Sequence, residues 1–126
     1  MNCPFCDPPP DQIVHQTKRI ICLWDQYPVS PGHALIIPRR HVDSWFAATP
    51  SEQQEISEAL TIVRNVILDQ HPADGFNIGI NDGSAAGQTV NHLHVHLIPR
   101  YDSDVPDPTG GVRCVIPSKA NYLKSK

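Results

Sequence analysis

Long apolar runs are missing from this sequence, and positive charge is scarce. No stretch approaches the roughly 18 to 20 apolar residues that a membrane-spanning helix needs, so we expect no membrane partner. The 10 Lys and Arg residues are outnumbered by 13 Asp and Glu, which gives a formal net charge of −3 and an isoelectric point near 6.1. We therefore expect no nucleic-acid partner, because such proteins carry a broad positive surface.

Internal repeats and low-complexity linkers are also lacking, and 126 residues suffice for one modest hydrophobic core. We interpret residues 1–126 as a single domain in which 102–126 form a loop and a carboxy-terminal tail. The first residues, Met1 to Cys6, have neither the positive nor the apolar segment of a signal peptide. Together with four cysteines, this favours a cytoplasmic protein whose thiols are reduced or bind a metal.

The pattern of apolar residues predicts an α+β domain with a mostly antiparallel sheet. Apolar runs bounded by turn residues predict strands over 13–16, 19–24, 33–37 and 75–80. Thr49 and the residues after it offer an N-cap, a proline at the first helical position and a capping-box glutamate. An apolar stripe at helical spacing follows, and the helix is predicted to end near His71 and Pro72.

The most informative segment, Asn91 to Arg100, alternates three histidines with apolar residues. In a strand alternate side chains share a face, so we expect Leu93, Val95 and Leu97 in the core. The three histidines, His92, His94 and His96, would then share the other face. Imidazoles that are neutral near pH 7 suit metal binding or attack on phosphorus. The alternative is a half-buried strand whose polar residues happen to be histidine.

A loop of small and amide residues, 81–89, leads into this strand. Backbone N–H groups near Gly87 to Thr89, with the Gln88 amide and the Thr89 hydroxyl, would hold the oxygens of a phosphoryl group. A catalytic zinc held by the three histidines is the alternative. Three alternating positions of one strand fit a single ion poorly, and no acidic residue neighbours them, so the residues favour a nucleophile.

Cys3-x-x-Cys6 has the spacing of a zinc-ligand pair and also that of a redox pair. A redox pair needs a helix at its first cysteine, and three prolines at 8–10 oppose one. Two imidazoles, from His41 and one of the three alternating histidines, would complete a tetrahedral zinc site. Cysteines without any ligand remain the other interpretation.

Four segments, in order, resemble the histidine triad (HIT) family: Cys3 to Cys6, Pro31 to His41, Asn81 to Gly83, and Gly87 to Ile98 with its His-φ-His-φ-His-φ-φ motif, φ being apolar. The resemblance covers about residues 3–101. It implies a five-stranded antiparallel sheet with one long helix and a short second helix or turn, and a homodimer. It also implies cleavage at the α-phosphorus of purine nucleoside 5′-phosphate derivatives, either dinucleoside polyphosphates or nucleoside phosphoramidates.

By this resemblance, His94 is the nucleophile that forms a nucleotidyl-histidine intermediate, His96 contacts the phosphate and the leaving group, and His92 completes the triad. The other implied roles are orientation of the triad by His33, phosphate contacts by Asn81, Gly87, Gln88 and Thr89, a ribose contact by Asp25, and base contacts by Phe5, Leu23 and Trp24. The alternative for Asp25 is a plain turn residue, and for the three apolar residues it is core packing.

The zinc-bearing bacterial members of the family imply one closed, structural zinc held by Cys3, Cys6, His41 and His92. Gly-Gln-Thr before the triad is typical of the dinucleoside polyphosphate hydrolase branch, the fragile histidine triad group. The Cys-x-Phe-Cys start is more typical of the nucleoside phosphoramidase branch and its bacterial relatives. The sequence thus has features of both branches, and a non-catalytic nucleotide-binding sensor or adaptor is the alternative function.

The homodimer prediction rests on the resemblance and on apolar residues that flank the main stripe of the helix, Ala59 and Ile62. In such a dimer, Val112 to Tyr122 would lie near the active site of the partner and help to select the leaving group. Arg100 and Arg113 are expected either to meet a polyphosphate or to be plain surface residues.

Overall fold

One long helix packs on a five-stranded antiparallel sheet in the computed structural model, which describes residues 3–124. The sheet has the order β1-β2-β3-β5-β4, and every neighbouring pair is antiparallel. Short 3-10 turns join these elements. This confirms the predicted fold. The elements are β1 (Ile13–Gln16), β2 (Ile20–Trp24), β3 (Ala34–Pro38), α1 (Pro50–Gln70), β4 (Gly75–Ile80) and β5 (Val95–Arg100).

The capping box predicted at Thr49 begins α1. The Thr49 hydroxyl accepts from the Glu52 backbone N–H, and the Glu52 carboxylate accepts from the Thr49 N–H at 2.8 Å. One face of α1 packs against the sheet through Ile56, Ala59, Val63 and Ile67. The expectation that Ala59 lies outside this core stripe is wrong: it is 1 % exposed, whereas Ile62 is 41 % exposed. Among residues 3–124, no helix is long and apolar enough to cross a membrane.

The neighbouring inner strands β2 and β3 are apolar on both faces. Ile20, Cys22, Ala34 and Ile36 pack in the core that includes α1, whereas a second cluster forms on the opposite face from Ile21, Leu23, Leu35 and Ile37, with Phe5 and Ile13 against it. Within residues 3–124, no α-helix covers this second face. It is therefore the face on which the chain can build a binding site.

The histidine segment differs from its prediction, because β5 begins only at Val95. Residues 91–94 bend away beforehand, and the Leu93 N–H donates to the Val42 carbonyl at 2.7 Å. Leu93, Val95 and Leu97 are buried as predicted. The prediction that all three histidines share one strand face is wrong, since the fully buried His92 lies before the strand with its ring beside Cys3 and His41.

The tail folds into three short 3-10 turns, Gly111–Val115, Pro117–Lys119 and Tyr122–Lys124. The first of these packs beside β4 of its own chain. Arg113 donates to the carbonyls of Lys119 and Ala120, so this guanidinium braces the tail. Arg100 pairs with Asp104 at 2.8 Å.

Candidate active site

A cavity of about 410 Å³ opens on the second face of the sheet. It brings together most of the substrate-binding residues predicted from the sequence. Gln88 and His92 do not line it. Eight further lining residues were not predicted as site residues, because they carry no pattern that distinguishes them from ordinary loop or core residues: Pro4, Pro9, Gln12, Gln26, Tyr27, Val29, Leu35 and Val90. The predicted residues that line the cavity are Phe5, Leu23, Trp24, Asp25, His33, Asn81, Gly87, Thr89, His94 and His96.

The backbone fixes the tautomer of His94. Its Nδ1 lies 2.7 Å from the carbonyl oxygen of His92. A carbonyl only accepts hydrogen bonds, so Nδ1 carries a proton, and in the neutral imidazole Nε2 therefore keeps its lone pair. The ring is 8 % exposed, and the Phe5 ring packs 4.9 Å from it, centroid to centroid. His94 therefore presents an oriented, unprotonated nitrogen, which is what a nucleophile needs.

A short relay of hydrogen bonds fixes the tautomer of His96. The Val29 N–H donates to His33 Nδ1 at 3.2 Å, so the proton of His33 sits on Nε2. That Nε2 donates in turn to His96 Nδ1 at 2.9 Å. His96 consequently carries its own proton on Nε2. The Nε2 atoms of the two neighbouring rings therefore differ in role: His94 Nε2 is a hydrogen-bond acceptor, and His96 Nε2 is a hydrogen-bond donor.

Asp25 lies beside this relay. Its Oδ1 accepts from the Tyr27 N–H at 2.7 Å, and its Oδ2 lies 3.4 Å from His33 Nε2. Asp25, His33 and His96 also offer ligand atoms within 4.8 Å of one another. The proton that the relay places on His33 Nε2 makes a metal there unfavourable, because a ligating nitrogen must be unprotonated. We therefore interpret this group as a hydrogen-bonded relay at the edge of the cavity.

Burial keeps the imidazoles of His33 and His96 neutral. It lowers the pKa of His96 to about 4, assisted by the nearby rings of His94 and His33. Burial also lowers the pKa of His33, against the opposing effect of the Asp25 carboxylate. Near pH 7 both rings are uncharged, so the relay keeps the directions described above.

This burial predicts a loss of stability in acid. Unfolded His96 binds a proton below its ordinary pKa of 6.5, whereas the folded ring stays neutral down to about 4. Unfolding therefore takes up a proton, and lowering the pH through this window destabilises the fold. Urea unfolding at pH 7 and pH 5 should show that His96→Gln loses less stability than wild type between the two. Equal losses in both proteins would contradict the assignment.

The loop before the triad is held by Gln88. The Gln88 Oε1 accepts from the Gly83 N–H at 2.8 Å, and Nε2 donates to the Asp43 and Val90 carbonyls. Its amide thus braces the loop instead of lining the cavity. The Gly87 and Gln88 backbone N–H groups are bonded within the loop as well. Of this loop, Asn81, Gly87 and Thr89 line the cavity, and Asn81 and Thr89 carry side-chain donors.

A separate cysteine cluster, outside the cavity lining, consists of Cys3, Cys6, His41 and His92, whose ligand atoms all lie within 4.8 Å of one another. The Cys3 Sγ lies 3.3 Å from His92 Nδ1, and Cys6 Sγ lies 3.1 Å from His41 Nδ1. His92 Nε2 donates to the Pro38 carbonyl at 2.7 Å, which leaves Nδ1 unprotonated and directed at the thiols. Tetrahedral zinc with two sulfurs and two nitrogens separates its ligands by roughly 3.5 Å, so these residues fit zinc.

Segment 41–45 connects the cysteine cluster to the loop before the triad. His41 belongs to the cysteine cluster, and the Asp43 carbonyl accepts from Gln88. The Ser44 hydroxyl and the Trp45 N–H both donate to the Asp82 carboxylate in the loop before the triad, at 3.0 and 2.9 Å. The position of that loop therefore depends on the segment that begins at the cysteine cluster.

The HIT domain family model matches residues 8–103. The chain belongs to the HIT family.

Curated relatives agree with this assignment. This HIT domain is 42 % identical over 93 residues to a bis(5′-nucleosyl)-tetraphosphatase (asymmetrical) of Schizosaccharomyces pombe, covering 74 % of the chain and 51 % of the relative. It is 39 % identical over 92 residues to a bis(5′-adenosyl)-triphosphatase of Saccharomyces cerevisiae, covering 72 % and 45 %. An adenylylsulfatase of Arabidopsis thaliana is 33 % identical over 107 residues, covering 82 % and 54 %. The chain spans about half the length of these curated relatives.

Solved structures share the fold. A histidine triad nucleotide-binding protein of Sulfolobus tokodaii superposes with a TM-score of 0.75 at 35 % identity, covering 83 % of this HIT domain and 73 % of that chain. A zinc-bound histidine triad family protein of Mycobacterium smegmatis gives 0.73 at 28 % identity, covering 100 % and 99 %. These comparisons support nucleotide hydrolysis as the general activity of the relatives.

Proposed function

We propose that this HIT domain is a nucleotidyl hydrolase or transferase that cleaves at the α-phosphorus of purine nucleoside 5′-phosphate derivatives. The observation that carries the proposal is the hydrogen bond from His94 Nδ1 to the His92 carbonyl, because it directs an unprotonated nitrogen at the cavity. The activities for which the relatives are named support hydrolysis of dinucleoside polyphosphates. Nucleoside phosphoramidates are the other substrate class, since their cleavage needs the same nucleophile.

In the first step, the lone pair of His94 Nε2 forms a bond to the α-phosphorus. The bond from phosphorus to the leaving atom breaks, and the leaving group departs with the bonding electrons. A polyphosphate leaves as its oxyanion, and a phosphoramidate nitrogen that has taken up a proton from solvent leaves as ammonia. His94 becomes cationic in this nucleotidyl-histidine, and the His92 carbonyl that holds its Nδ1–H stabilises that charge. The Nε2–H of His96 donates a hydrogen bond to the bridging atom and so stabilises the charge that develops there.

In the second step, water attacks the phosphorus, releases the nucleoside monophosphate and loses a proton to solvent. The phosphorus–nitrogen bond breaks, and His94 returns to its neutral form. An alcohol or a second phosphate in place of water gives transfer instead of hydrolysis. Both steps use the same nitrogen, which is why the fixed tautomer of His94 matters throughout.

The cavity supplies the binding contacts in this proposal. Phe5, Leu23 and Trp24 form the apolar wall for the base, and the Asp25 carboxylate accepts from the ribose hydroxyls. Thr89 and Asn81 donate to the phosphate oxygens. Gln88 acts on the substrate only indirectly, because it holds the loop that carries Thr89.

We also propose that Cys3, Cys6, His41 and His92 hold one structural zinc. Zinc bound there would supply a fixed cross-link between the amino-terminal segment, β3 and the triad, with no position open for substrate. The zinc-bound Mycobacterium smegmatis relative supports this assignment. The four cysteines form no disulfide, which suits the reducing cytoplasm that we propose as the location of the protein.

A substrate panel tests the proposed activity. Purified protein is incubated with diadenosine triphosphate, diadenosine tetraphosphate, adenosine 5′-phosphoramidate and their guanosine counterparts, and the products are separated by chromatography. We expect a nucleoside 5′-monophosphate from at least one substrate, and the preferred one assigns the branch. Nucleotide binding without monophosphate release from any of them would contradict catalysis and favour a sensor.

We further propose a homodimer. In the described sheet β4 is an edge strand, and its Ile78 is 51 % exposed. Unpaired edges and exposed apolar side chains are readily covered by a symmetry-related copy. Light scattering at micromolar concentration should give about twice the chain mass of 14.0 kDa. The mass of a single chain would contradict this proposal.

A further inference from the structure

A second cavity of about 500 Å³ lies beside the first, on the same face of the sheet. Val29 contributes to the walls of both cavities, which therefore meet at this residue. Alternation along β5 places Ile98 and Arg100 on the face that carries His96, and both line the second cavity. The tail also lines this cavity, through Val105, Pro108 and Cys114.

The polar part of this cavity is held rigidly. Arg100 donates through Nε and Nη2 to the Asp104 carboxylate, both at 2.8 Å, and through Nη1 to Asn77 Oδ1 at 2.7 Å. A guanidinium has five N–H groups, so this one keeps two donors beyond these three bonds. Asp104 neutralises its charge. The cavity therefore combines oriented hydrogen-bond donors with apolar walls and has little attraction for a chain of phosphates.

The direction of the reaction points to the same cavity. In phosphoryl transfer the attacking and leaving atoms lie roughly in line through the phosphorus. With His94 attacking and His96 at the bridging atom, the leaving group departs past His96. The next side chains on that face of β5 are Ile98 and Arg100, roughly 7 and 13 Å further along the strand.

We propose that the second cavity is the leaving-group subsite and that it receives the second nucleoside of a dinucleoside polyphosphate. This inference rests on the function proposed above. Its volume is in the range of small-molecule sites, and an uncharged base and sugar match apolar walls with a few fixed donors. The sequence and the family resemblance predict that the tail lies beside a partner's active site. Here the tail of the same chain completes the subsite.

A leaving group as small as ammonia does not extend beyond His96, so filling the second cavity separates the two substrate classes. Val105→Trp and Cys114→Trp place a large ring at two exposed positions of the cavity wall. Ile116→Trp is the matched control, because Ile116 is an exposed tail residue that lines neither cavity. The kcat/KM of each variant is measured with diadenosine triphosphate and with adenosine 5′-phosphoramidate.

We expect both cavity variants to lose about tenfold or more in kcat/KM for diadenosine triphosphate, mainly through KM, with less than about twofold change for the phosphoramidate. The control should behave like wild type with both substrates. An unchanged value for diadenosine triphosphate, or an equal loss with both substrates, would overturn the subsite. A wild-type protein that cleaves neither substrate would instead overturn the proposed function.

Discussion

Replacing His94 with alanine is expected to abolish turnover while nucleotide binding persists. The substitution removes the nitrogen that bonds to phosphorus, but it leaves the base, ribose and phosphate contacts of the cavity in place. A lost nucleophile costs about a thousandfold or more in kcat. Turnover is measured with the preferred substrate, and binding is measured by calorimetry with a nucleoside monophosphate.

His15→Ala is the matched control for this variant. His15 lies in β1 and does not line the cavity, and its Nε2 has no hydrogen-bond partner in residues 3–124. It should keep near wild-type turnover. Retention of more than about a tenth of the activity by His94→Ala would rule out nucleophilic catalysis by this residue.

Loss of the cysteine pair is expected to remove zinc and to lower the melting temperature. Closed sites of two thiolates and two imidazoles contribute directly to the free energy of folding, so Cys3→Ser/Cys6→Ser should melt several degrees lower, at about 4 °C per kcal/mol lost. We expect some turnover to remain, because His94 keeps its hydrogen bond to the backbone. Metal content by mass spectrometry and calorimetric melting provide the two measurements.

Cys114→Ser is the control for the zinc prediction, since Cys114 is an exposed thiol of the tail outside the cluster. It should keep one zinc per chain and the wild-type melting temperature. Wild-type protein purified under reducing conditions without stoichiometric zinc would show that the cluster has another role.

Local signals explain which parts of the fold could be predicted. The capping box at Thr49 and the proline after His71 set both ends of α1, because these signals act within one turn of the helix. The strand over 75–80 is bounded by a turn on each side and agrees with the structure. Most of the site residues that the family resemblance implies line one cavity in the structure.

Long-range contacts explain what could not be predicted. The bend at 91–94 depends on the hydrogen bond from Leu93 to Val42, and Gln88 turns from the cavity because the Asp43 carbonyl, 45 residues away, accepts its amide. No pattern within either segment signals these partners. The second cavity likewise forms only when the tail folds beside β4 and β5.

The most direct test of the account is detection of a covalent bond between His94 and a nucleotide. Enzyme and substrate are mixed, quenched without acid within the first turnover, digested and analysed by mass spectrometry, because phosphorus–nitrogen bonds to histidine are labile in acid. We expect a nucleoside monophosphate on the peptide that contains His94 and none in His94→Ala. Product release with no adduct at any time in the first turnover, or an adduct on another residue, would contradict it.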